Sequence, residues 1–260
     1  MIDIGLNLAS PRLYPRAEAL LERAWQAGLS AVIVTGSDED SNREAAALCQ
    51  RLGKHFSLYF TAGHHPHHAD HWRPAAREQI ERLATDPHCV AVGEMGLDYF
   101  RNCSSPANQR RCFEQQLRTA VDLQKPVFLH EREGYGDFRA MLLEALPALS
   151  GAVWHCFTGS REQMEEMANH GLYFGITGWI CDPQRGQQLR EVAPHIPADR
   201  LMIETDAPYL TPKTLKPTPH CNEPAFLPEV LRVLAQCRNE DYGQLAAQTR
   251  ANTERFFNLT

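Results

Sequence analysis

Val90-Ala91-Val92-Gly93-Glu94 is an apolar run that ends on a carboxylate, and three further runs repeat the design: Val127-Phe128-Leu129-His130, Ala152-Val153-Trp154-His155 and Leu201-Met202-Ile203-Glu204-Thr205-Asp206. A short run of β-branched and aromatic residues bounded by Gly, Pro and charge reads as a buried parallel strand, because both of its faces are covered and no polar alternation is needed. The metal-binding side chain then sits at the strand's carboxyl end. In parallel α/β sheets that end is where loops converge into a cleft, so residues far apart in sequence can serve one cation. The pattern predicts a metallohydrolase.

Outward from these runs, strand signals recur at Ile2 to Leu8, Ser30 to Thr35, Leu58 to Ala62, Val90 to Glu94, Val127 to His130, Ala152 to Cys156, Leu172 to Thr177 and Leu201 to Thr205. Between them lie stretches with apolar residues at helical spacing: Ala17 to Gln26, Ser41 to Leu52, Ala75 to Leu83, Gln109 to Asp122, Tyr135 to Leu146 and Arg161 to Asn169. Pro224 to Cys237 and Tyr242 to Phe257 add two helices at the C-terminus. Eight strands in βαβα alternation, joined by right-handed crossovers, predict an α/β fold of the (β/α)8 TIM-barrel class, with a doubly wound open sheet as the alternative. No linker, repeat or low-complexity segment interrupts residues 1–260, so a single domain is expected.

Composition narrows the function classes. With 260 residues and 43% apolar content the chain can bury one large core. No apolar stretch approaches the roughly 20 residues of a membrane span, and an acid, Asp3, stands where a signal peptide would be basic. A cytoplasmic protein, monomeric and without membrane contact, is expected. Eight cysteines without a C-x-x-C pair fit reduced thiols better than a disulfide framework or a structural zinc site. The net charge of −6 argues against a broad basic face for duplex DNA. It leaves room for a local phosphate site, where a divalent metal adds positive charge that a residue count omits.

Glu94, His130, His155 and Asp206 offer two imidazoles and two carboxylates without a thiolate, a donor set for Mg²⁺, Mn²⁺ or Zn²⁺. A lone His or Glu at a strand end is more often a satisfied polar residue; four in sequence are harder to read that way. Strand alternation puts Glu204 and Asp206 on one side provided the strand runs on regularly, with Asp206 as ligand and general base and Glu204 as a supporting carboxylate. A second constellation, Gly63-His64-His65-Pro66-His67-His68, leaves the third strand's carboxyl end. A cluster of this kind is often plain surface, but here the rigid Pro66 sets His65 and His67 apart as donors to an anionic substrate. Arg101, Arg132 and Lys213 follow strands four, five and eight; guanidinium groups facing a cleft suit phosphate, although single surface cations are usually only solvated.

Five segments carry a family resemblance: Gly63-x-His65-Pro66-His67, Gly93-Glu94-x-Gly96-Leu97-Asp98-Tyr99, Pro126-Val127-x-Leu129-His130-x-Arg132, His155-Cys156-Phe157-x-Gly159, and Glu204-Thr205-Asp206-Ala207-Pro208-Tyr209-Leu210 with Asn222-Glu223-Pro224 beyond. In order and spacing, over almost the whole chain, they resemble the TatD family of metal-dependent deoxyribonucleases. The resemblance implies a (β/α)8 barrel of the metallo-dependent hydrolase type, related to the amidohydrolases. It also implies Mg²⁺-dependent phosphodiester hydrolysis, 3′ to 5′ exonuclease action on single-stranded DNA and RNA, and a part in repair of oxidative DNA damage.

One departure from the family is clear. Its first strand usually carries Asp-x-His-x-His, whereas this chain has Asp3-Ile4-Gly5-Leu6-Asn7. Gly5 offers no side chain and Asn7 only a neutral amide oxygen, acceptable to a hard cation and poor for Zn²⁺. One firmly held metal on Glu94, His130 and His155 is therefore expected, with a weaker second position near Glu94, Asp206 and Asn7. Mg²⁺ is favoured, then Mn²⁺, then Zn²⁺. The expected reaction is hydrolysis of a terminal phosphodiester, with Asp206 taking the proton of the attacking water and His65, His67 and Arg132 on phosphate. Two rivals share the fold: a small-molecule amidohydrolase or lactonase, which has little use for those phosphate donors, and a degenerate binding protein, which has no use for Asp206.

Overall fold

All five residues of Ile2–Leu6 are buried although Asp3 and Gly5 interrupt the apolar pattern, which marks a strand covered on both faces. The computed structural model describes residues 1–259. Its strands are β1 (Ile2–Leu6), β2 (Ala31–Val34), β3 (Leu58–Ala62), β4 (Cys89–Asp98), β5 (Val127–Arg132), β6 (Ala152–Trp154), β7 (Tyr173–Ile176) and β8 (Leu201–Ile203). Its helices are α1 (Ala17–Gln26), α2 (Glu39–Leu52), α3 (Pro74–Leu83), α4 (Pro106–Leu123), α5 (Tyr135–Ala145), α6 (Arg161–Asn169), α7 (Gln187–Val192), α8 (Leu227–Arg238) and α9 (Tyr242–Phe257). The strands follow one another in sequential order β1 to β8, the (β/α)8 topology. Two compact units divide the chain: Thr35–Arg51 with Tyr59–Trp154, and Met1–Val34 with Leu52–Leu58 and His155–Thr260.

In the first of these units β3, β4, β5 and β6 pair in parallel. β4 is longer than its apolar run predicts: it continues past Glu94 to Asp98, with Gly96 opposite His130 and Asp98 opposite Arg132. Gly96 makes this continuation feasible. Its φ of 146° lies in glycine's region, and a Cβ there would collide with the backbone carbonyl of His130. Helix α4 begins at Ser105, whose hydroxyl accepts the N–H of Asn108, with Pro106 in the first helical position. It buries Phe113 and Leu117 beside three polar residues, Gln109, Gln116 and Thr119.

The second unit holds β1 paired with β2 and β7 paired with β8, again in parallel. Helix α7 was not legible in the sequence: it is only six residues long and buries only Leu189 and Val192, too few for a helical period to show. The strand at β8 ends at Ile203, earlier than expected. Beyond it the chain runs beside β1, with the Asp206 N–H donating to Gly5 O at 2.8 Å and the Asn7 N–H to Ala207 O at 2.9 Å. Asp3, fully buried, ties the same two segments together: its Oδ1 accepts the Thr205 N–H at 2.9 Å and its Oδ2 the Thr205 hydroxyl at 2.5 Å.

Burial pushes the Asp3 carboxyl up to about 7, against the hydrogen bonds from Thr205 and Gly5 that pull it down. An acid whose folded value lies above its unfolded one stabilises the fold while protonated, and that contribution is lost as pH rises through the folded value. Asp3→Asn, which keeps a carbonyl acceptor and cannot ionise, should therefore gain stability relative to the wild type as pH rises from about 5 to about 8. Urea midpoints across that range check this; parallel pH curves for the two proteins would contradict it.

Candidate active site

Three side chains of the first unit converge: single ligand atoms of His65, Glu94 and His130 all lie within 4.8 Å of one another. Glu94 Oε1 is the common partner, 3.3 Å from His65 Nε2 and 3.1 Å from His130 Nδ1. The two imidazoles differ in what they offer it. His65 Nδ1 accepts the backbone N–H of His67 at 3.1 Å, and burial lowers the ring's pKa to about 4, so near neutral pH His65 is uncharged with its proton on Nε2. It faces Glu94 as a donor. A cation requires a lone pair, so in this tautomer His65 belongs to hydrogen bonding rather than to ligation.

His130 stands between two carboxylates. Its Nε2 lies 3.3 Å from Asp98 Oδ2 and its Nδ1 3.1 Å from Glu94 Oε1. A neutral imidazole has one proton for two acceptors; given to Asp98, it leaves the Nδ1 lone pair facing a carboxylate oxygen, an arrangement that only a second proton or a cation makes favourable. The donor set on Glu94 and His130 thus fits a divalent metal ion. Asp98 serves as the orienting carboxylate. Burial would raise its pKa, but hydrogen bonds from His130, from His67 at 2.7 Å and from the Arg101 N–H at 2.7 Å outweigh burial and hold it well below the ordinary range.

The backbone under these groups is fixed by buried side chains. Gln109 of α4 accepts the Asp98 N–H at 2.8 Å and returns its amide to Asp98 O at 3.1 Å. Gln116, about two turns further along α4, does the same for His64 at 2.8 and 2.9 Å. Glu94 is held through its own N–H, which donates to Gly36 O at 2.7 Å. Asp98 was absent from the sequence-derived site, yet a signal existed: Glu94, Gly96 and Asp98 alternate on one face of a strand once β4 is carried past Glu94.

The second unit holds the other expected residues in two groups. His155 Nδ1 lies 3.3 Å from Glu204 Oε2, and Glu204 Oε1 accepts the Cys156 N–H at 2.5 Å. Both side chains are buried, and a carboxylate on Nδ1 places the ring's lone pair on Nε2, the role expected of Glu204. Asp206 adopts a left-handed φ of 54° after β8 has ended, so it does not share a strand face with Glu204 as regular alternation would require. Its Oδ1 instead accepts the Asn7 amide N–H at 2.8 Å. Lys213 pairs with Asp182 at 2.9 Å; Arg132, in the first unit, lies over the ring of Phe100.

The family model described as TatD related DNase matches residues 2–258. The chain belongs to the TatD family. It is 47% identical to the 3′-5′ ssDNA/RNA exonuclease TatD of Citrobacter rodentium, over 100% of this chain and 98% of that protein. It is 45% identical to the protein of the same name from Escherichia coli K12, over 100% and 99%. Among solved structures it resembles YjjV, a TatD homologue from Escherichia coli K12, with a TM-score of 0.91 and 29% identity over 100% of this chain and 98% of that one. The fold is the (β/α)8 TIM-barrel class. The TatD family is metal-dependent, and ligand atoms of His65, Glu94 and His130 lie close enough together to hold a metal ion. Asp98→Asn, which leaves the His130 ring without its carboxylate, should weaken binding of Mg²⁺ or Mn²⁺ about 10- to 100-fold. Calorimetric titration of metal into the protein reads this directly, and unchanged affinity would remove Asp98 from the metal site.

Proposed function

We propose that this TatD protein is a 3′–5′ exonuclease that hydrolyses phosphodiester bonds at the ends of single-stranded DNA and RNA, with Mg²⁺ as its working metal and repair of oxidative DNA damage as its setting. The observation that carries the reading is the Glu94–His130–Asp98 arrangement, a carboxylate and an oriented imidazole lone pair on one point. Full-length relatives at 45–47% identity named as 3′-5′ ssDNA/RNA exonucleases support the substrate.

Glu94, His130, His155 and Asp206 are the metal-binding set of this proposal. When bound, Mg²⁺ supplies Lewis-acid stabilisation of charge on the phosphoryl oxygens. The remaining steps fall to the chain's own residues. Asp206 takes the proton of the attacking water, and the Asn7 amide on its Oδ1 fixes the plane of that carboxylate. His65, His67 and Arg132 are the phosphate-binding set of this proposal, the imidazole N–H groups that now meet Glu94 and Asp98 turning to the phosphate oxygens when substrate enters. Glu204 keeps the His155 ring oriented. Mn²⁺ can replace Mg²⁺ at such a nitrogen and oxygen set, with Zn²⁺ third. Among the described residues no helix is long and apolar enough to cross a membrane; the proposal assigns a cytoplasmic monomer working as one domain.

The test is digestion of single-stranded oligonucleotides labelled at the 5′ end, with Mg²⁺, with chelator, and with Glu94→Ala as the control for contaminating nucleases. A ladder that shortens stepwise, and is lost with chelator and with Glu94→Ala, supports the reading. No cleavage with any divalent metal would turn it toward a small-molecule hydrolase. Asp206→Asn should lower kcat by roughly 10²- to 10⁴-fold, the usual worth of a general base, with a smaller change in KM. Full turnover by that variant would overturn the role of Asp206.

A further inference from the structure

Among the described residues the exposed large hydrophobic side chains are Phe100, Tyr209 and Tyr242. Phe100 is 50% exposed and stands two residues beyond Asp98, the carboxylate that holds His67 and His130. A single exposed phenylalanine is ordinary on a protein surface. Three features set this one apart.

The turn that presents it is held at each step: the Arg101 N–H donates to Asp98 Oδ1 at 2.7 Å, the Asn102 N–H to Asp98 O at 3.2 Å, and the Tyr99 N–H to Arg132 O at 2.9 Å. One face of the ring is occupied, since the Arg132 guanidinium carbon sits 3.9 Å from its centroid. Its position is also fixed relative to the metal-binding pair. His130 and Arg132 project from the same side of β5, two residues or about 7 Å apart along the strand. The aromatic ring that Arg132 backs therefore sits on the turn just beyond β4 and against the end of β5, the two strands that supply Glu94 and His130.

We infer that Phe100 is the stacking platform for the base of the 3′-terminal nucleotide, with Arg132 as its rigid backing. The inference rests on the exonuclease reading and deepens it: stacking on a π-face tolerates any base, and it requires a base free of a partner strand, which gives the site a preference for unpaired ends.

The experiment compares kcat/KM for release of the last residue from two otherwise identical single-stranded oligonucleotides, one ending in a normal nucleotide and one in an abasic residue. The wild type should prefer the normal end roughly 5- to 100-fold, the usual worth of one stacked base. Phe100→Ala should lose most of that preference through KM, and Phe100→Trp should keep it. Equal preference in Phe100→Ala and wild type, or no preference in the wild type, overturns the platform and leaves the nuclease reading standing. Failure of the wild type to cleave either oligonucleotide overturns both.

Discussion

Asp98 is the constraint on which the first unit's site depends. One buried carboxylate accepts from His67 and His130 and from the backbone N–H of Arg101, and three donors on one anion keep it ionised at any working pH. That fixed negative charge is the acceptor which both neighbouring imidazoles meet. Placed between Asp98 and Glu94, a neutral His130 has one proton for two acceptors, so one ring lone pair faces a carboxylate unless positive charge lies between them. A divalent cation would relieve such a contact. His65 shows the complementary choice. The same Glu94 oxygen meets a proton there, because the His67 backbone N–H has taken the other ring nitrogen. Two histidines on one carboxylate thus have different chemistry, set by one hydrogen bond apiece.

The fold serves this arrangement by bringing backbones closer than side chains would allow. A Cβ on Gly63 would strike the Gly93 backbone, and one on Gly96 would strike that of His130. These contacts put the ends of β3, β4 and β5 within reach of one point. Close approach strands polar backbone groups away from water, and the glutamines of α4 answer that cost. Gln109 and Gln116 are fully buried, and each engages both the N–H and the carbonyl of a single residue, Asp98 and His64. A leucine at either position would bury as well and would take from the Asp98 or His64 N–H the acceptor it has here.

Much of this was legible in the sequence. Glu94, His130 and His155 end or follow runs too apolar to be anything but buried strands, and the order of those runs gave the (β/α)8 alternation. Asp98 escaped for a physical reason. Between Glu94 and Asp98 the apolar signal is diluted by Gly96 and closed by an acid, so the segment reads as a loop; only pairing with β5 makes it a strand. Orientation was also out of reach. Whether Glu204 and Asp206 share a face depends on where β8 stops, and it stops at Ile203 because the chain leaves β7 there to run beside β1. Asn7, standing in place of an imidazole, offered an oxygen in the sequence; in the fold its amide nitrogen is what Asp206 receives. A side chain's composition shows which atoms it has, while tertiary context selects which of them faces the chemistry.

The charge balance of the molecule follows the same logic. A protein of net charge −6 that handles polyanions cannot rely on its long-range field. Several of its cations are engaged by its own acids: Lys213 and Arg185 on the buried Asp182, Arg23 on Glu223 at 2.7 Å, Arg73 on Glu39 at 2.8 Å. What lies around Glu94 instead is local: the N–H of His65, the Phe100 ring backed by Arg132, and ligand atoms of His65, Glu94 and His130 close enough to hold a cation. Groups of that kind gain little from a distant phosphate and much from one in contact, because their interactions fall off within a few ångströms and strengthen where water is excluded. On the exonuclease reading proposed above, a terminal nucleotide in contact would meet them all together, so selectivity for such an end would lie in the range of the forces as much as in the shape of the surface that exerts them.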